Sequence, residues 1–220
     1  MRRKLSVRDW PRTEQPATKA MDRGTEALSD AELLSLVLNR ATYEQTEVGT
    51  AMELLRRSGG LRKIFDLEDL SVAERVKLHA VREIGKRLLR EGMIGQNFIR
   101  SPQAVTDYLT ASMRDLKREV FKCLFLDKAL RITGERDLFI GTIDEAAVHP
   151  REIVKAALEF NASSIVLVHN HPSGKTEASR EDYEITQKIK VACQTVSVRV
   201  LDHIIIGENQ YYSFSERNSL

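Results

Sequence analysis

The sequence predicts a small all-helical N-terminal domain followed by an α/β or α+β domain. Apolar residues in the first half recur with the period of amphipathic helices. In the second half, short apolar runs alternate with helical patterns, which is typical of a sheet covered by helices. Residues 92–103 are rich in Gly, Asn, Ser and Pro and separate the two patterns. We therefore expect one domain over residues 1–97 and a second over residues 98–220.

Three helices are predicted in the first half. Ser29 and Glu32 have the spacing of a capping box, in which the serine accepts a backbone N–H and the glutamate reaches back to the cap. A second helix, around residues 47–57, ends before two glycines, and its expected buried face consists of Val48, Ala51, Met52 and Leu55. A third helix is expected over residues 72–90, where the same apolar period continues.

Strands and helices alternate in the second half. Apolar or β-branched runs predict strands at residues 120–126, 132–140, 165–168, 198–206 and 211–214. The run at 165–168 is wholly apolar, which is typical of a central strand covered on both faces. One helix is expected from Pro150, which suits the first helical position, and its expected buried face consists of Ile153, Val154, Ala157 and Leu158. Another helix is expected after Ser179.

Composition and charge restrict the class of protein. The 220 residues carry a formal net charge of +2, with 42% hydrophobic and 30% charged residues, which is ordinary for a globular protein. No run approaches the roughly 18 apolar residues of a membrane span, and the basic N-terminus lacks the apolar segment of a secretory signal. Cys123 and Cys193 lie in apolar contexts, which argues against a disulfide scaffold or a cysteine-ligated metal. We therefore expect a cytoplasmic protein without a membrane partner.

One short segment carries the residues expected of a metal site. His169 and His171 follow a predicted strand, and residues i and i+2 of a strand point to the same face. Pro172 and Gly174 end the strand and turn the chain, which returns Asp182, in the first turn of the next helix, toward the strand end. Two imidazoles and one carboxylate leave a fourth tetrahedral position open for water, as in catalytic zinc sites. Zinc lowers the pKa of such a water to about 7.

Each part of this segment also has a plainer interpretation. A His-x-His pair at a strand end is weak by itself, and Ser179 with Asp182 also has the spacing of a capping box. The whole string, His-x-His-Pro, six residues and then Ser-x-x-Asp, specifies five identities. Its chance occurrence is roughly one in 10⁵ per chain at ordinary composition. Because a rigid cap would also hold Asp182 in place, we predict a metal site formed by His169, His171 and Asp182.

The string H-N-H-P-x6-S-x-x-D resembles the JAMM motif of the MPN/JAB metalloprotease domains. The surrounding sequence, including S-S-I-V-L-V-H-N-H-P-S-G and L-D-H-I-I-I-G, is similar to bacterial RadC proteins. The similarity is close over residues 101–220 and extends more loosely to the first half through E-A-L-S-D-A-E-L-L. The resemblance implies an MPN/JAB-like fold with a central mixed sheet flanked by helices, and a metallopeptidase-like hydrolase. It also implies zinc held by His169, His171 and Asp182, with Ser179 stabilising an oxyanion.

The resemblance further implies an upstream glutamate that acts as general base and acid, just before the first strand of the domain. Glu119 fits that place, although a solvated charge at a strand start is the plainer interpretation. Glu152 and Glu135 are alternatives, and a glutamate in a first helical turn also complements the helix dipole. His203, in a strand pattern, is expected to be a core histidine with satisfied ring nitrogens, or to support the site together with Asp202.

A second function is implied for the first half, because RadC proteins carry a region that resembles helix-hairpin-helix DNA-binding modules. The chain would then be a DNA-repair or recombination accessory protein, with the MPN fold as a scaffold. Residues 1–100 contain 19 Lys and Arg against 15 Asp and Glu, which a solvated helical surface explains equally well. Such hairpins grip phosphates through a Gly-x-Gly turn, and residues 70–79 contain no glycine. A protein-interaction or supporting role for residues 1–97 is therefore at least as well supported as DNA binding. The resemblance implies a peptide or protein substrate, and a nuclease fits less well, because one site does not supply paired metals.

Overall fold

A computed structural model describes residues 6–42, 44–141, 148–208 and 210–220. The chain divides into two compact units, Met1–Ile84 and Gly85–Leu220. The first unit is helical, and the second holds a mixed sheet flanked by helices, as the sequence predicts. The domain boundary after residue 97 stays a prediction. Within the described residues, every helix is too short or too polar to cross a membrane.

The first unit consists of helices joined by short turns. Its helices are α1 (Pro16–Arg23), α2 (Asp30–Leu38), α3 (Glu47–Ser58) and the beginning of α4 (Val72–Met93), with 3-10 helices at Val7–Asp9, Arg12–Glu14, Thr25–Ala27 and Leu61–Asp66. The predicted capping box of α2 is confirmed, because Glu32 accepts the N–H of Ser29 at 2.8 Å and the Ser29 hydroxyl accepts the N–H of Glu32. The prediction that Met52 is buried is wrong. Met52 is 60% exposed, because the buried face of α3 includes Thr50 and Leu54 and Met52 lies outside it.

The second unit is built on a mixed sheet. Its elements are α5 (Pro102–Met113), β1 (Glu119–Leu126), β2 (Ile132–Gly141), α6 (Pro150–Glu159), β3 (Ser164–Asn170), α7 (Arg180–Gln194), β4 (Arg199–Ile206) and β5 (Tyr211–Ser213). The described strands are ordered β2-β1-β3-β4-β5. Strands β3 and β4 are parallel, and the other neighbouring pairs are antiparallel. Helix α5 is missing from the sequence prediction, because its first two residues, Pro102 and Gln103, fall in the segment interpreted as a linker.

Apolar cores cover both faces of the sheet. Helix α5 packs on one face, in a core that includes Leu109, Met113, Leu124, Val166 and Val168. Helices α6 and α7 pack on the other face, in a core that includes Phe121, Phe125, Ile153, Leu167 and Ile189. Strand β3 is buried along its whole length, as its apolar run predicts. The prediction that Leu158 is buried is wrong, because α6 presents Ile153, Ala156 and Ala157 to the core and leaves Leu158 57% exposed.

Candidate metal centre

The end of β3 positions two histidines on one face of the sheet. His169 is the penultimate residue of β3 and is buried. His171 continues the pairing with β4, because its N–H donates to the carbonyl oxygen of Ile206 at 3.0 Å. The two side chains therefore lie on the same face, and their Nε2 atoms are 2.9 Å apart. The convergence that the i, i+2 spacing predicts is present in the structure.

The loop after β3 folds back against the end of β4. The N–H of Gly174 donates to the His171 carbonyl oxygen at 2.9 Å, and the Gly174 carbonyl oxygen accepts the N–H of Glu208 at 2.9 Å. A Cβ atom at position 207 would lie 2.5 Å from that same carbonyl oxygen, so glycine at Gly207 permits the close approach. The loop then leads to Ser179, which caps α7. The turn thus returns the chain to the strand end, as expected.

Asp182 is fully buried in the first turn of α7 and belongs to its capping box. Its Oδ2 atom accepts the backbone N–H of Ser179 at 2.8 Å and the Ser179 hydroxyl at 2.7 Å. Its Oδ1 atom has no hydrogen-bond donor and lies 3.1 Å from Nε2 of His169. Buried polar atoms are normally hydrogen-bonded, so an unpartnered carboxylate oxygen beside two imidazoles suits a bound cation. Asp182 therefore caps α7 with one carboxylate oxygen and approaches His169 with the other, as the sequence predicts.

The three side chains fit a metal ion, and we call His169, His171 and Asp182 the metal triad. Each offers one ligand atom, and these atoms lie within 4.8 Å of one another. Tetrahedral zinc with ligands at about 2.1 Å spaces its ligand atoms about 3.4 Å apart. Here the two Nε2 atoms are 2.9 Å apart, and they lie 3.1 and 3.6 Å from the carboxylate oxygens of Asp182. Nδ1 of His171 lies 3.0 Å from the Lys175 carbonyl oxygen, which only accepts, so a neutral His171 has its proton on Nδ1 and its lone pair on Nε2. The donor set therefore suits a cation.

The close contacts also shift the pKa values of the site. Hydrogen bonding to Asp182 raises the pKa of His171, and the charges of Asp182 and Glu119 add to that effect against burial. Burial alone would raise the pKa of Asp182, but the adjoining imidazoles of His169 and His171 and the backbone N–H of Ser179 hold it far below its usual range. In the metal-free protein, Asp182 is therefore a carboxylate that favours a cation beside it.

The metal-free protein is expected to lose stability as the pH rises from about 6.5, the ordinary pKa of histidine, through the raised pKa of His171. Its pKa in the folded state lies above the unfolded value of about 6.5, so its pairing with Asp182 contributes fully below that value. The contribution is lost as the pH rises through the raised pKa. Urea unfolding of chelator-treated wild type and His171→Gln should show a stability difference that shrinks as the pH rises through this range. An equal difference throughout the range would contradict the pairing.

Glu119 lies on the face of the sheet that carries the metal triad. It is the first residue of β1, and Phe121, two residues further along, pairs in register with His169. Residues i and i+2 share a face, so Glu119 and His169 point the same way. The charge of Glu119 also contributes to the raised pKa of His171. Its role as the general base stays a prediction, which this placement favours.

The two alternative glutamates have other partners, and Glu135 lies on the opposite face of the sheet from the metal triad. Glu135 pairs in register with Leu124, whose side chain lies in the core on the opposite face of the sheet. There, Oε2 of Glu135 lies 2.9 Å from Nζ of Lys122. Glu152 forms an ion pair with Arg151 at 3.3 Å in the first turn of α6. The sheet therefore separates Glu135 from the metal triad, which the order of residues in the sequence does not reveal.

Ser179 is engaged with Asp182. Its hydroxyl donates to Oδ2 of Asp182 at 2.7 Å and accepts the N–H of Asp182 at 3.1 Å. A hydroxyl has one proton, and here that proton is directed to the carboxylate. The geometry supports a role in holding Asp182, and the expected oxyanion role stays a prediction.

His203, on β4, adjoins the metal triad. Its Nε2 atom lies 2.8 Å from Nδ1 of His169, and its Nδ1 atom lies 2.6 Å from Oγ1 of Thr186. A core histidine with both ring nitrogens partnered is therefore confirmed. Asp202 supports His203 through the backbone rather than the ring, because its carboxylate accepts the N–H of His203 at 2.7 Å and also accepts from Ser213 and Ser215. Thr186 was missed, although it follows the triad aspartate by one helical turn on the same helix face.

Asn170, between the two histidines, points to the opposite face and is fully buried. Its Oδ1 atom accepts the N–H of Val120 at 2.9 Å, and its Nδ2 atom donates to the carbonyl oxygens of Arg118 at 3.1 Å and Leu116 at 3.5 Å. These bonds tie the segment before β1 to the end of β3. Asn170 thus holds the chain on both sides of Glu119, a role that sequence reasoning missed.

Asn170→Ala is expected to lower the free energy of unfolding by about 2–3 kcal/mol, because it leaves buried backbone groups at Val120 and Arg118 without partners. Urea unfolding of the purified protein measures the change. Gln187→Ala, which removes an exposed amide from α7, serves as the control and should change stability by less than about 0.5 kcal/mol. Equal effects of the two substitutions would show that Asn170 does not anchor this segment.

Comparison with known proteins gives matches over nearly the whole chain. Residues 99–219 match the RadC-like JAB domain family, and residues 7–87 match the UPF0758 N-terminal family. A UPF0758 protein of Nitrosococcus oceani is 43% identical over 98% of this chain and 100% of its own length. UPF0758 proteins of Thioalkalivibrio sulfidiphilus and Stutzerimonas stutzeri are 43% and 44% identical, over 98% and 96% of this chain and 100% and 98% of their own lengths.

Proposed function

This chain belongs to the RadC-like JAB domain family, and from that premise we propose that it is a zinc-dependent hydrolase that cleaves a peptide or amide bond. The main observation behind the proposal is that two imidazole Nε2 atoms and the unpartnered Oδ1 of Asp182 lie close together. Two imidazoles and a carboxylate are the ligands of catalytic zinc sites, which keep a fourth position open. The metal triad would hold the zinc ion.

When bound, zinc supplies Lewis acidity, which acidifies water and polarises a carbonyl oxygen. Glu119 would accept the proton that the attacking water loses and return it to the leaving amine. Ser179 holds the carboxylate of Asp182 through two hydrogen bonds, so the ligand keeps its direction. The His171 side chain is 14% exposed, whereas those of His169 and Asp182 are 2% and 0% exposed. A substrate would therefore reach the site from the side of His171.

The number of metal sites favours an amide over a phosphodiester. In the described part of the chain, one group of His, Cys, Asp or Glu residues has the spacing of a metal site, and it is the metal triad. Enzymes that cleave phosphodiesters commonly use two metal ions about 3.5–4 Å apart. A site with one ion and a nearby carboxylate is the arrangement of zinc peptidases. We therefore propose a peptide or protein substrate and treat nucleic acid as the competing outcome.

The test is to incubate wild type and Asp182→Ala with pools of peptides and of single- and double-stranded DNA, and to identify products by mass spectrometry. Wild type is expected to cleave peptides, and Asp182→Ala is expected to be inactive. Glu181→Ala removes the neighbouring, exposed carboxylate and should remain active. Peptide cleavage that survives in Asp182→Ala would contradict the proposal. DNA cleavage that depends on Asp182 would show that the protein is a nuclease rather than a peptidase.

A further inference from the structure

We propose that Thr186 and His203 are positioning residues that keep His169 in the tautomer a zinc ligand requires. The inference rests on the proposed zinc site but concerns residues outside the metal triad. Oγ1 of Thr186 lies 2.5 Å from the backbone carbonyl oxygen of Asp182 and 2.6 Å from Nδ1 of His203. Nε2 of His203 lies 2.8 Å from Nδ1 of His169. We call this series of contacts the Thr186–His203 relay.

The direction of every proton in the Thr186–His203 relay follows from its first member. A carbonyl oxygen only accepts, so the Thr186 hydroxyl donates its one proton to the Asp182 carbonyl. The same hydroxyl therefore accepts from His203, which places a proton on Nδ1 of His203. A neutral His203 then has a bare Nε2, which accepts the Nδ1 proton of His169. His169 is left with its lone pair on Nε2, the atom that faces Asp182 and His171.

The surroundings of His203 support one ring proton rather than two. His203 is fully buried, and the rings of Phe121 and Phe214 lie 5.5 and 4.9 Å from its ring. Its two ring nitrogens are occupied by Thr186 and His169, so an imidazolium would have no carboxylate hydrogen-bonded to it. A buried charge without such a partner is costly. The apolar rings also restrict the water that would offer His169 a different hydrogen bond.

The relay couples two roles of one residue. The Asp182 carboxylate faces the histidines, and the Asp182 backbone carbonyl begins the relay that orients His169. His171 is oriented in the same manner by the Lys175 carbonyl, at 3.0 Å from its Nδ1. Both imidazoles are thus directed by backbone carbonyl oxygens, which cannot exchange donor and acceptor roles. When both rings are neutral, their Nε2 lone pairs therefore point to the position that the metal would take.

Thr186→Val is the decisive variant, because valine keeps the shape of threonine and removes its hydroxyl. Without the hydroxyl, His203 can move its proton to Nε2, which turns Nδ1 of His169 into an acceptor and puts a proton on its Nε2. Two-bond proton–nitrogen NMR of the metal-free wild type should show His169 protonated on Nδ1, and Thr186→Val should show a population protonated on Nε2. Zinc affinity, measured by competition with a chelator, should fall about 10- to 100-fold. Thr186→Ser should restore both properties.

The matched control is Thr50→Val, at a buried helical threonine whose hydroxyl has no hydrogen-bond partner. It should change neither the ring spectra nor the zinc affinity, and melting curves show that each variant is folded. Wild-type His169 protonated on Nε2, or unchanged zinc affinity in folded Thr186→Val, would overturn the relay. A wild-type protein that binds no zinc but shows the expected tautomer would overturn the zinc proposal and leave the relay standing.

Discussion

Glu119→Gln is expected to lower the turnover number by about two to four orders of magnitude while zinc remains bound. Glutamine keeps the size of the side chain but cannot accept the proton of the attacking water. The metal triad is unaltered, so the metal content should equal that of wild type. The measurement is turnover of a cleaved peptide, together with zinc content, for both proteins. This pair of results would separate proton transfer from metal binding.

Glu152→Gln is the matched control for this prediction, because Glu152 is the alternative base and lies in the first turn of α6. Its side chain is 44% exposed and paired with Arg151, so the change should leave turnover within about twofold of wild type. Full activity in Glu119→Gln, or loss of activity in Glu152→Gln alone, would show that Glu119 is not the general base. Either result would contradict the assignment drawn from the shared face of the sheet.

Asp182→Ala is expected to weaken zinc binding by more than about 100-fold, because it leaves two imidazoles where the site has three ligands. The substitution also removes the carboxylate of the α7 capping box, which contributes about 1 kcal/mol to stability. Chelator competition measures the affinity, and urea unfolding of the metal-free protein measures the stability.

Ser179→Ala separates the two effects, because it disrupts the same cap and keeps the carboxylate. It should cost about 1 kcal/mol of stability and retain zinc far better than Asp182→Ala. Zinc that stays tightly bound in Asp182→Ala would exclude this carboxylate as a ligand. Equal losses of zinc in both variants would mean that the cap, rather than the carboxylate, determines the affinity.

The part of the site that sequence predicts is the part determined by local geometry. The i, i+2 spacing of His169 and His171 sets their common face, and the capping-box spacing of Ser179 and Asp182 sets the first turn of α7. These relations hold within a few residues of chain. The strand and helix patterns that carry them are equally local, which is why an α/β or α+β domain could be predicted, whereas the mixed sheet was implied by the resemblance to a known family.

The supporting residues are harder to predict because they depend on pairing between distant strands. His203 reaches His169 across 34 positions of sequence, through the parallel register in which Leu167 faces His203. Asn170 meets Val120 across 50 positions. The choice between Glu119 and Glu135 depends in the same way on which face of the sheet each residue occupies. Sequence patterns specify faces within one strand, whereas the register between strands is a property of the folded sheet.

The errors at Met52 and Leu158 have a different origin. Both residues lie one position away from the buried stripe of an amphipathic helix, and each helix also has smaller residues that fill the interface. An apolar residue at the edge of a stripe can face either way, since much of a protein's surface is apolar. Both segments are helices, as their apolar period predicts. The orientation of each helix about its axis determines whether Met52 and Leu158 are exposed.

The most direct test of the account is the zinc content of the protein. Wild type and His171→Ala are purified without added metal, dialysed against equimolar zinc and passed through a desalting column. Elemental mass spectrometry then measures the zinc that each protein retains. We expect about one zinc ion per wild-type chain and a content well below stoichiometric in His171→Ala. A wild-type protein that retains no stoichiometric zinc would contradict the proposed zinc site.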